Sequence, residues 1–299
     1  MTSYASPVDT ERWGEYRINR DDTRPLYRFG NRIGSDALPA ESGRYHVYAG
    51  WFCPWAQRVT IGIAQNGLSD VISVSYVDDA RDGRGWAFRA QHGPDPVNGF
   101  TLLREAYEAT EPGFDGHIST PTLWDRASGR VISNEYRLIG LDVATAFAPW
   151  ADLDRSTYPE QWRSEIDELD RWLGPAVNQG VSAAGTDSAA RSDLLNAFAE
   201  LDQELADRRY LVGDRITEAD IRLWVTLVRY DVQANAGGRI GPVLSEYPAL
   251  WSYARDLYAE PAFRDTTRFA SFTSPEAEIP DWTAPSERRS PITTLERSA

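Results

Sequence analysis

Apolar and polar positions alternate from Tyr45 to Ala49, and this spacing predicts a β-strand because successive side chains of a strand point to opposite faces. A helical spacing of apolar residues follows and predicts a helix with Pro54 in its first turn, where a missing N–H costs nothing. The apolar positions of this helix are Trp55, Val59, Ile61, Ile63 and Ala64. After the turn Asn66-Gly67, residues 71–77 predict a second strand. Strand, helix and strand together make a βαβ unit with parallel strands.

The next segment, residues 78–116, is long and rich in glycine, aspartate and arginine. Loops of this length within a domain are usually functional or mobile. Residues 120–133 then predict a β-hairpin, whose first strand opens with Pro121 and whose turn is Ser128-Gly129. Asn134-Glu135 opens a helix. This order is the thioredoxin-like arrangement, in which the proline is typically cis and faces the cysteine.

Beyond Pro149 the apolar spacing is helical throughout. Four helices are predicted, with apolar stripes Trp162-Ile166-Leu169-Leu173, Leu194-Leu195-Phe198-Leu201-Leu205, a stripe beginning at Ile221, and Leu250-Tyr253-Leu257. The third helix has a clear start signal, since Thr217 can cap it, Asp220 can bond back as in a capping box, and Ile216 can pack on Ile221. The fold class is therefore an α/β thioredoxin-like N-terminal domain plus an all-α C-terminal domain.

These patterns divide the chain into an N-terminal extension at 1–40, a thioredoxin-like thiol-binding domain at 41–149, an all-helical domain at 150–272 and a tail at 273–299. We expect the extension to wrap over the domain that follows it. Its anchors are expected to be Trp13, Tyr16, Tyr27 and Phe29. The alternative is a disordered tail, which four aromatic residues disfavour.

The formal net charge of −14 argues against a nucleic-acid partner and against docking on an anionic membrane. No lysine is present, and all 31 cationic side chains are arginine, which suits the codon bias of a GC-rich genome. The first residues lack the pattern of a signal peptide, and no apolar run is long enough to span a membrane. A single cysteine and no disulfide framework favour a reducing cytoplasm.

That cysteine, Cys53, lies where the first predicted strand meets the first predicted helix. The free N–H groups and positive end of the helix dipole favour an anion there, so we expect its thiol pKa to lie below about 8.5. The competing interpretation is a buried structural thiol. The position before Pro54 favours a reactive monothiol.

Six motifs together resemble the soluble glutathione transferases, and most closely the Xi class, the glutathionyl-hydroquinone reductases. The resemblance covers roughly residues 40–270. The motifs are Trp51-Phe52-Cys53-Pro54-Trp55-Ala56-Gln57-Arg58, Gly85-Trp86-Ala87-Phe88, Asp95-Pro96-Val97-Asn98-Gly99-Phe100, Pro121-Thr122-Leu123-Trp124-Asp125, Ser133-Asn134-Glu135 and residues 211–224. Each alone is weak, but their common order across both domains is specific.

The resemblance implies that Cys53 is the nucleophile, attacks the sulfur of a glutathionylated substrate and becomes a mixed disulfide that a second thiol resolves. It implies that Trp86 flanks the bound thiol tripeptide and that the backbone of Thr120, presented by Pro121, pairs with the peptide like an added strand. It implies that Glu135 holds the γ-glutamyl ammonium. A homodimer is likewise expected.

Several positions depart from the family pattern. Tyr136 replaces the serine that takes the γ-glutamyl carboxylate, and Gln57 stands where histidine is usual. Ser182 occupies the place of one substrate-binding tyrosine, and no tyrosine follows Tyr230 in the region of the other. These departures suggest glutathione or a related thiol as cofactor, with mycothiol as the alternative for which Tyr136 would offer a stacking face to a sugar.

Two functions from different classes follow. The first is a thiol-dependent reductase or transferase acting on an aromatic or quinone-type small molecule. The second is a non-catalytic binding or interaction protein on the same scaffold, with Cys53 idle. Arg58 is either a surface cation or a stabiliser of the thiolate. The three histidines show no ligand spacing, so no metal is assigned; they are His46, His92 and His117.

Overall fold

A computed structural model describes residues 4–18 and 23–284, and a four-stranded sheet organises the first half of the chain. The sheet order is β2-β1-β3-β4, with β1 and β2 parallel and the other pairs antiparallel. The strands are β1 Tyr45–Ala49, β2 Ser73–Tyr76, β3 Thr122–Asp125 and β4 Arg130–Ser133. The predicted βαβ unit and hairpin are confirmed, and the second strand is shorter than predicted.

Strand β1 is central and every one of its side chains is buried. Its residue His46 is enclosed between Ser73 and Ser75 of β2, whose hydroxyls lie 2.7 and 2.8 Å from the two ring nitrogens. Burial lowers the pKa of His46 to about 3, so the ring is neutral at neutral pH. His46 is therefore a hydrogen-bonded core residue.

Three helices accompany the sheet: α2 Pro54–Gln65, α3 Arg104–Thr110 and α4 Tyr136–Thr145, with a single turn, α1 Thr10–Trp13, near the start of the chain. Helices α2 and α4 contribute Val59, Ile63, Ile139 and Val143 to one buried cluster with β1. This packing fixes the start of α2, and with it Cys53, against the sheet.

The second half is helical, as predicted. Its helices are α5 Arg163–Leu173, α6 Gly180–Ala184, α7 Ser188–Asp207, α8 Glu218–Arg229, α9 Pro248–Ala259 and α10 Pro261–Arg264. Two π-helical segments, Gly174–Gln179 and Tyr230–Ala234, have no signal that we recognised in the sequence. Helix α8 is central, and all of its residues are buried.

The predicted capping box at the start of α8 is present. The Thr217 N–H donates to Asp220 Oδ2 at 2.7 Å. The other carboxylate oxygen accepts from the Leu211 N–H at 3.0 Å and from the Tyr253 hydroxyl at 2.8 Å. Asp220 thus joins three segments of the helical half, and its role is structural.

The N-terminal extension lies on the residues that follow it, as predicted for the described part of it. The Tyr16 hydroxyl bonds His117 Nδ1 at 2.9 Å and accepts from the Ile118 N–H at 3.1 Å. Phe29 packs on Phe114 with ring centroids 5.4 Å apart. Trp13 is a weaker anchor, since it is 39% exposed.

The C-terminal tail is described as far as residue 284. Trp282 is buried and packs edge-on against Trp224 and Trp251, so this part of the tail belongs to the helical core. The rest of the predicted tail lies outside the described residues. No helix within 4–18 and 23–284 is long and apolar enough to cross a membrane.

Candidate active site

Cys53 is the N-cap residue of α2, immediately before Pro54. Its carbonyl accepts the N–H of Gln57 at 3.0 Å, which begins the helix, and its own N–H donates to Gly50 at 3.0 Å. The thiol donates to the Thr120 carbonyl oxygen at 3.3 Å, and the side chain is 7% exposed. The predicted position of the cysteine between strand and helix is confirmed.

The ionisation predicted for this thiol is wrong in direction. Burial raises the pKa of Cys53 above its ordinary value. The N–H groups at the start of α2 and the charge of Arg229 act in the opposite direction, but burial outweighs them. The sequence around Cys53 shows that it lies at a helix N-terminus. It does not show that Cys53 is buried, because residues distant along the chain, such as Thr120, cover the thiol.

Thr120 and Pro121 are joined by a cis peptide bond and are both buried beside Cys53. The turn before them is held by the Tyr107 hydroxyl, which accepts from the Ser119 N–H at 3.2 Å and bonds Thr122 Oγ1 at 2.7 Å. The family-derived expectation of a cis proline next to the cysteine is confirmed.

Glu135 is the N-cap of α4, and its carboxylate accepts the Arg137 N–H at 3.3 Å. It is half-buried, so its carboxylate also remains accessible. Glu135 therefore caps α4, and this contact does not test whether its carboxylate binds the γ-glutamyl ammonium.

Tyr136 does not offer the open face that the mycothiol argument requires. Its side chain is 5% exposed, and its ring stacks on Trp55 with centroids 4.7 Å apart. Tyr27 meets it edge-on at 6.2 Å, and the Arg58 guanidinium lies 5.5 Å from the ring centroid. The predicted stacking face for a sugar is therefore wrong, because neighbouring side chains already cover the ring.

Trp86 is half-buried and stacks on Phe52, the neighbour of Cys53, with centroids 4.2 Å apart. The guanidinium of Arg81 lies over Trp86 at 4.8 Å and over Tyr16 at 5.0 Å. The Phe52 ring therefore connects Trp86 to the residue next to Cys53, and the Arg81 guanidinium connects Trp86 to Tyr16 of the N-terminal extension.

Gln57 ties α2 to the helical half. Its amide nitrogen donates to the Thr266 carbonyl at 3.1 Å and to Thr267 Oγ1 at 2.9 Å. Its oxygen accepts from Arg229, which also donates to the Trp51 carbonyl at 3.3 Å. The sequence pattern did not single out Arg229, although an arginine that follows the mostly apolar residues 223–228 was the signal available.

Arg58 is not a surface cation, since it is buried. It donates to Asn178 Oδ1 at 2.5 Å, and it lies 4.9 Å from the Trp55 ring centroid. The cation that acts on Cys53 is Arg229 instead. Within the described ranges no group of three histidine, cysteine or acidic side chains could hold a metal ion.

The chain is similar to known proteins in its sequence and in its fold. The family model of the glutathione S-transferase C-terminal domain matches residues 178–256. The glutathionyl-hydroquinone reductase PcpF of Sphingobium chlorophenolicum is 40% identical over 67% of each chain. The glutathionyl-hydroquinone reductase YqjG of Escherichia coli is 35% identical over 79% of this chain and 75% of its own. The chain belongs to the glutathionyl-hydroquinone reductases of the Xi class.

Solved Xi-class structures share its fold. An Xi-class glutathione transferase from Natrialba magadii superposes with a TM-score of 0.81 and 34% identity, covering 87% of this chain and 88% of its own. The glutathione-bound structure of E. coli YqjG superposes with a TM-score of 0.80 and 31% identity, covering 87% and 96%. As a member of this family, the chain is an enzyme of the glutathione-dependent transferase or reductase type.

Ser182 and the region after Tyr230, where no tyrosine follows, depart from the Xi-class pattern, and both now have a place in the fold. Ser182 lies on α6 and is exposed. Tyr230 is fully buried, and its hydroxyl donates to the Pro242 carbonyl at 3.1 Å. Neither side chain therefore presents a free phenolic hydroxyl to a substrate.

Proposed function

We propose that the chain reduces glutathionyl-hydroquinones with glutathione, using Cys53 as nucleophile. The observation that carries the proposal is the Cys53 thiol, which belongs to the N-cap residue of α2 and lies 3.3 Å from the carbonyl oxygen of Thr120. The relatives PcpF and YqjG, both named as glutathionyl-hydroquinone reductases, support the substrate class.

In the proposed reaction, the Cys53 sulfur attacks the sulfur of the conjugate. An S–S bond forms, the bond from sulfur to the aromatic carbon breaks, and that carbon takes a proton, which balances the proton lost by the thiol. A second glutathione thiolate then attacks the mixed disulfide, releasing oxidised glutathione and regenerating Cys53. The substrate gains two electrons, and two glutathione sulfurs supply them.

We propose the contacts of the tripeptide residue by residue. Thr120 would pair with its main chain, since its carbonyl already lies at the nucleophile and Pro121 fixes its orientation. Glu135 would bind the γ-glutamyl ammonium through its accessible carboxylate. The backbone N–H of Tyr136, in the first turn of α4, would face the γ-glutamyl carboxylate. Trp86 would flank the peptide.

We propose glutathione rather than mycothiol as the thiol. The covered ring of Tyr136 removes the reason for expecting a sugar-binding face. The glutathione-bound YqjG structure supports the choice. Homodimerisation, a cytoplasmic location and the domain limits at residues 40, 149 and 272 remain proposals that accompany this function.

The test is a steady-state assay with a glutathionyl-hydroquinone and free glutathione, compared with the same assay using mycothiol. We expect turnover with glutathione and its loss in Cys53→Ser. Trp13→Ala, which changes an exposed aromatic residue of the extension, serves as the control and should keep its activity. A Cys53→Ser protein that is as active as the wild type would overturn the role of Cys53 as nucleophile. Absence of turnover by the wild type would favour the non-catalytic binding function, and faster turnover with mycothiol would overturn the choice of thiol.

A further inference from the structure

Arg229 is a buried cation with no carboxylate partner in the part of the chain that the structure describes. It is the last residue of α8 and only 4% exposed. Among residues 4–18 and 23–284 it makes no ion pair, and its Nε has no hydrogen-bond partner. Burying an uncompensated charge costs several kcal/mol, on the order expected for one ion removed from water. Such a residue calls for an explanation.

Another buried arginine on the same helix is paired in the usual way. Arg222 lies 3.2 Å from Asp170 and 3.6 Å from Glu218. Arg229 instead contacts neutral groups: it donates to the Gln57 amide oxygen, to the Val225 carbonyl at 3.2 Å and to the Trp51 carbonyl at 3.3 Å. Arg229 therefore differs from Arg222 on the same helix in that its hydrogen-bond partners among the described residues are all neutral.

The contacts of Arg229 converge on the nucleophile. Trp51 lies two residues before Cys53 in the loop that leads into α2, and the Gln57 N–H donates the first helical hydrogen bond to the Cys53 carbonyl. On its other side the guanidinium lies 4.2 Å from the Phe272 ring centroid, which closes it off from water. The charge is held in a dry site, where an anion would interact with it strongly.

We propose that Arg229 is a positioning residue that supplies the positive charge for the Cys53 thiolate. When Cys53 ionises, the uncompensated Arg229 cation becomes part of a buried ion pair with the thiolate. The attraction between the two charges then offsets the free-energy cost of burying Arg229. This role rests on the proposed function, in which Cys53 must become a thiolate.

The other charged or ionisable groups near Cys53 do not supply the positive charge that Arg229 supplies. Tyr27, from the N-terminal extension, also interacts with Cys53, but burial raises the pKa of Tyr27 and keeps it protonated. Arg58 turns toward Asn178. The elements packed around Arg229 contribute Gln57, Trp51 and Phe272, all neutral. Burial lowers the pKa of Arg229 to about 9, and Cys53 acts against that lowering.

The experiment is alkylation of Cys53 by iodoacetamide between pH 6 and 9.5. As the chain has one cysteine, the reaction reports on that thiol alone and needs neither glutathione nor a hydroquinone. We expect Arg229→Met to slow the reaction at least about tenfold at each pH below the thiol pKa, since a neighbouring opposite charge typically shifts a pKa by about 1–3 units. Arg229→Lys, which keeps the charge, should restore most of the rate.

The matched control is Arg222→Met, which removes the same charge from the same buried helix and should leave the alkylation profile unchanged. Unchanged rates in a folded Arg229→Met, or equal slowing in Arg229→Lys and Arg229→Met, would overturn the proposal. If Arg229→Met does not fold, NMR of the arginine guanidinium groups in the wild type decides. One arginine signal must follow the ionisation of Cys53 and stop doing so in Cys53→Ser, and the absence of such a signal contradicts the role.

If the wild type turns over the glutathionyl-hydroquinone slowly, but the alkylation rates of its variants follow the expected pattern, the proposed hydroquinone reaction is contradicted and the role of Arg229 is supported. The two proposals therefore fail separately.

Discussion

Asp220→Ala tests whether one buried carboxylate holds the helical half together. The substitution removes the Asp220 half of the capping box at the start of α8, which is worth about 1 kcal/mol. It also removes the acceptor of the buried Leu211 N–H, at about 1–3 kcal/mol, and one hydrogen bond of the Tyr253 hydroxyl, at about 1 kcal/mol. The sum predicts a loss of about 4 kcal/mol in the free energy of unfolding, a large part of the roughly 5–15 kcal/mol typical of a domain.

The assay is urea denaturation followed by tryptophan fluorescence and far-UV circular dichroism. Asp187→Ala is the matched control, because Asp187 caps α7 by accepting only the Ala190 N–H, at 2.8 Å, on the surface. It should cost about 1 kcal/mol. Tyr253→Phe, which removes one donor to Asp220, should fall near the control. Equal losses for Asp220→Ala and Asp187→Ala would refute the reasoning, since the buried contacts would then contribute nothing.

Three further predictions concern ionisation and binding. Burial lowers the pKa of His46 to about 3, so between pH 6.5 and pH 3 the unfolded histidine binds a proton that the folded one does not. As the pH falls through this range, the free energy of unfolding of the wild type should therefore fall relative to that of His46→Asn by up to about 1.4 kcal/mol for each pH unit. Parallel pH–stability curves from urea melts would contradict this. Trp86→Ala should weaken glutathione binding roughly tenfold in calorimetric titration, a loss of about 1.4 kcal/mol, whereas Trp13→Ala should not change it. Glu135→Gln keeps a side-chain oxygen for the cap of α4 and should raise the KM for glutathione about tenfold or more, since it weakens a charge-assisted hydrogen bond; an unchanged KM would leave Glu135 with the capping role alone.

Features written in one short stretch of sequence were predictable. The capping box needs only Thr217 and Asp220, and the position of Cys53 needs only an alternating strand followed by Pro54. In both cases the atoms that make the structure are neighbours along the chain, so local spacing is sufficient.

Features that depend on distant residues were not predictable. The pKa of Cys53 is raised because segments far apart in the chain exclude water from it. Tyr136 is covered because α4 packs against Trp55 of α2 and because the N-terminal extension brings in Tyr27. Arg229 belongs to the helical half and donates to the Trp51 carbonyl, two residues before the nucleophile, and no motif around Arg229 indicates that contact.

The same limit applies to the substrate. The sequence shows that the usual tyrosines are missing, and the structure adds that Ser182 is exposed and that the Tyr230 hydroxyl is engaged by Pro242. What contacts the aromatic ring in their place depends on side chains from both halves of the chain, which a residue-by-residue comparison with the family pattern does not identify.

The central claim is that Cys53 takes the glutathione sulfur from the conjugate as a mixed disulfide. Intact-protein mass spectrometry after a single turnover, with enzyme in excess over a glutathionyl-hydroquinone and no free thiol, tests it directly. We predict one glutathione adduct, mapped to Cys53, for each hydroquinone released, and reversal of the adduct when glutathione is added. Release of hydroquinone without an adduct, or an adduct that forms equally in Cys53→Ser, would contradict the account.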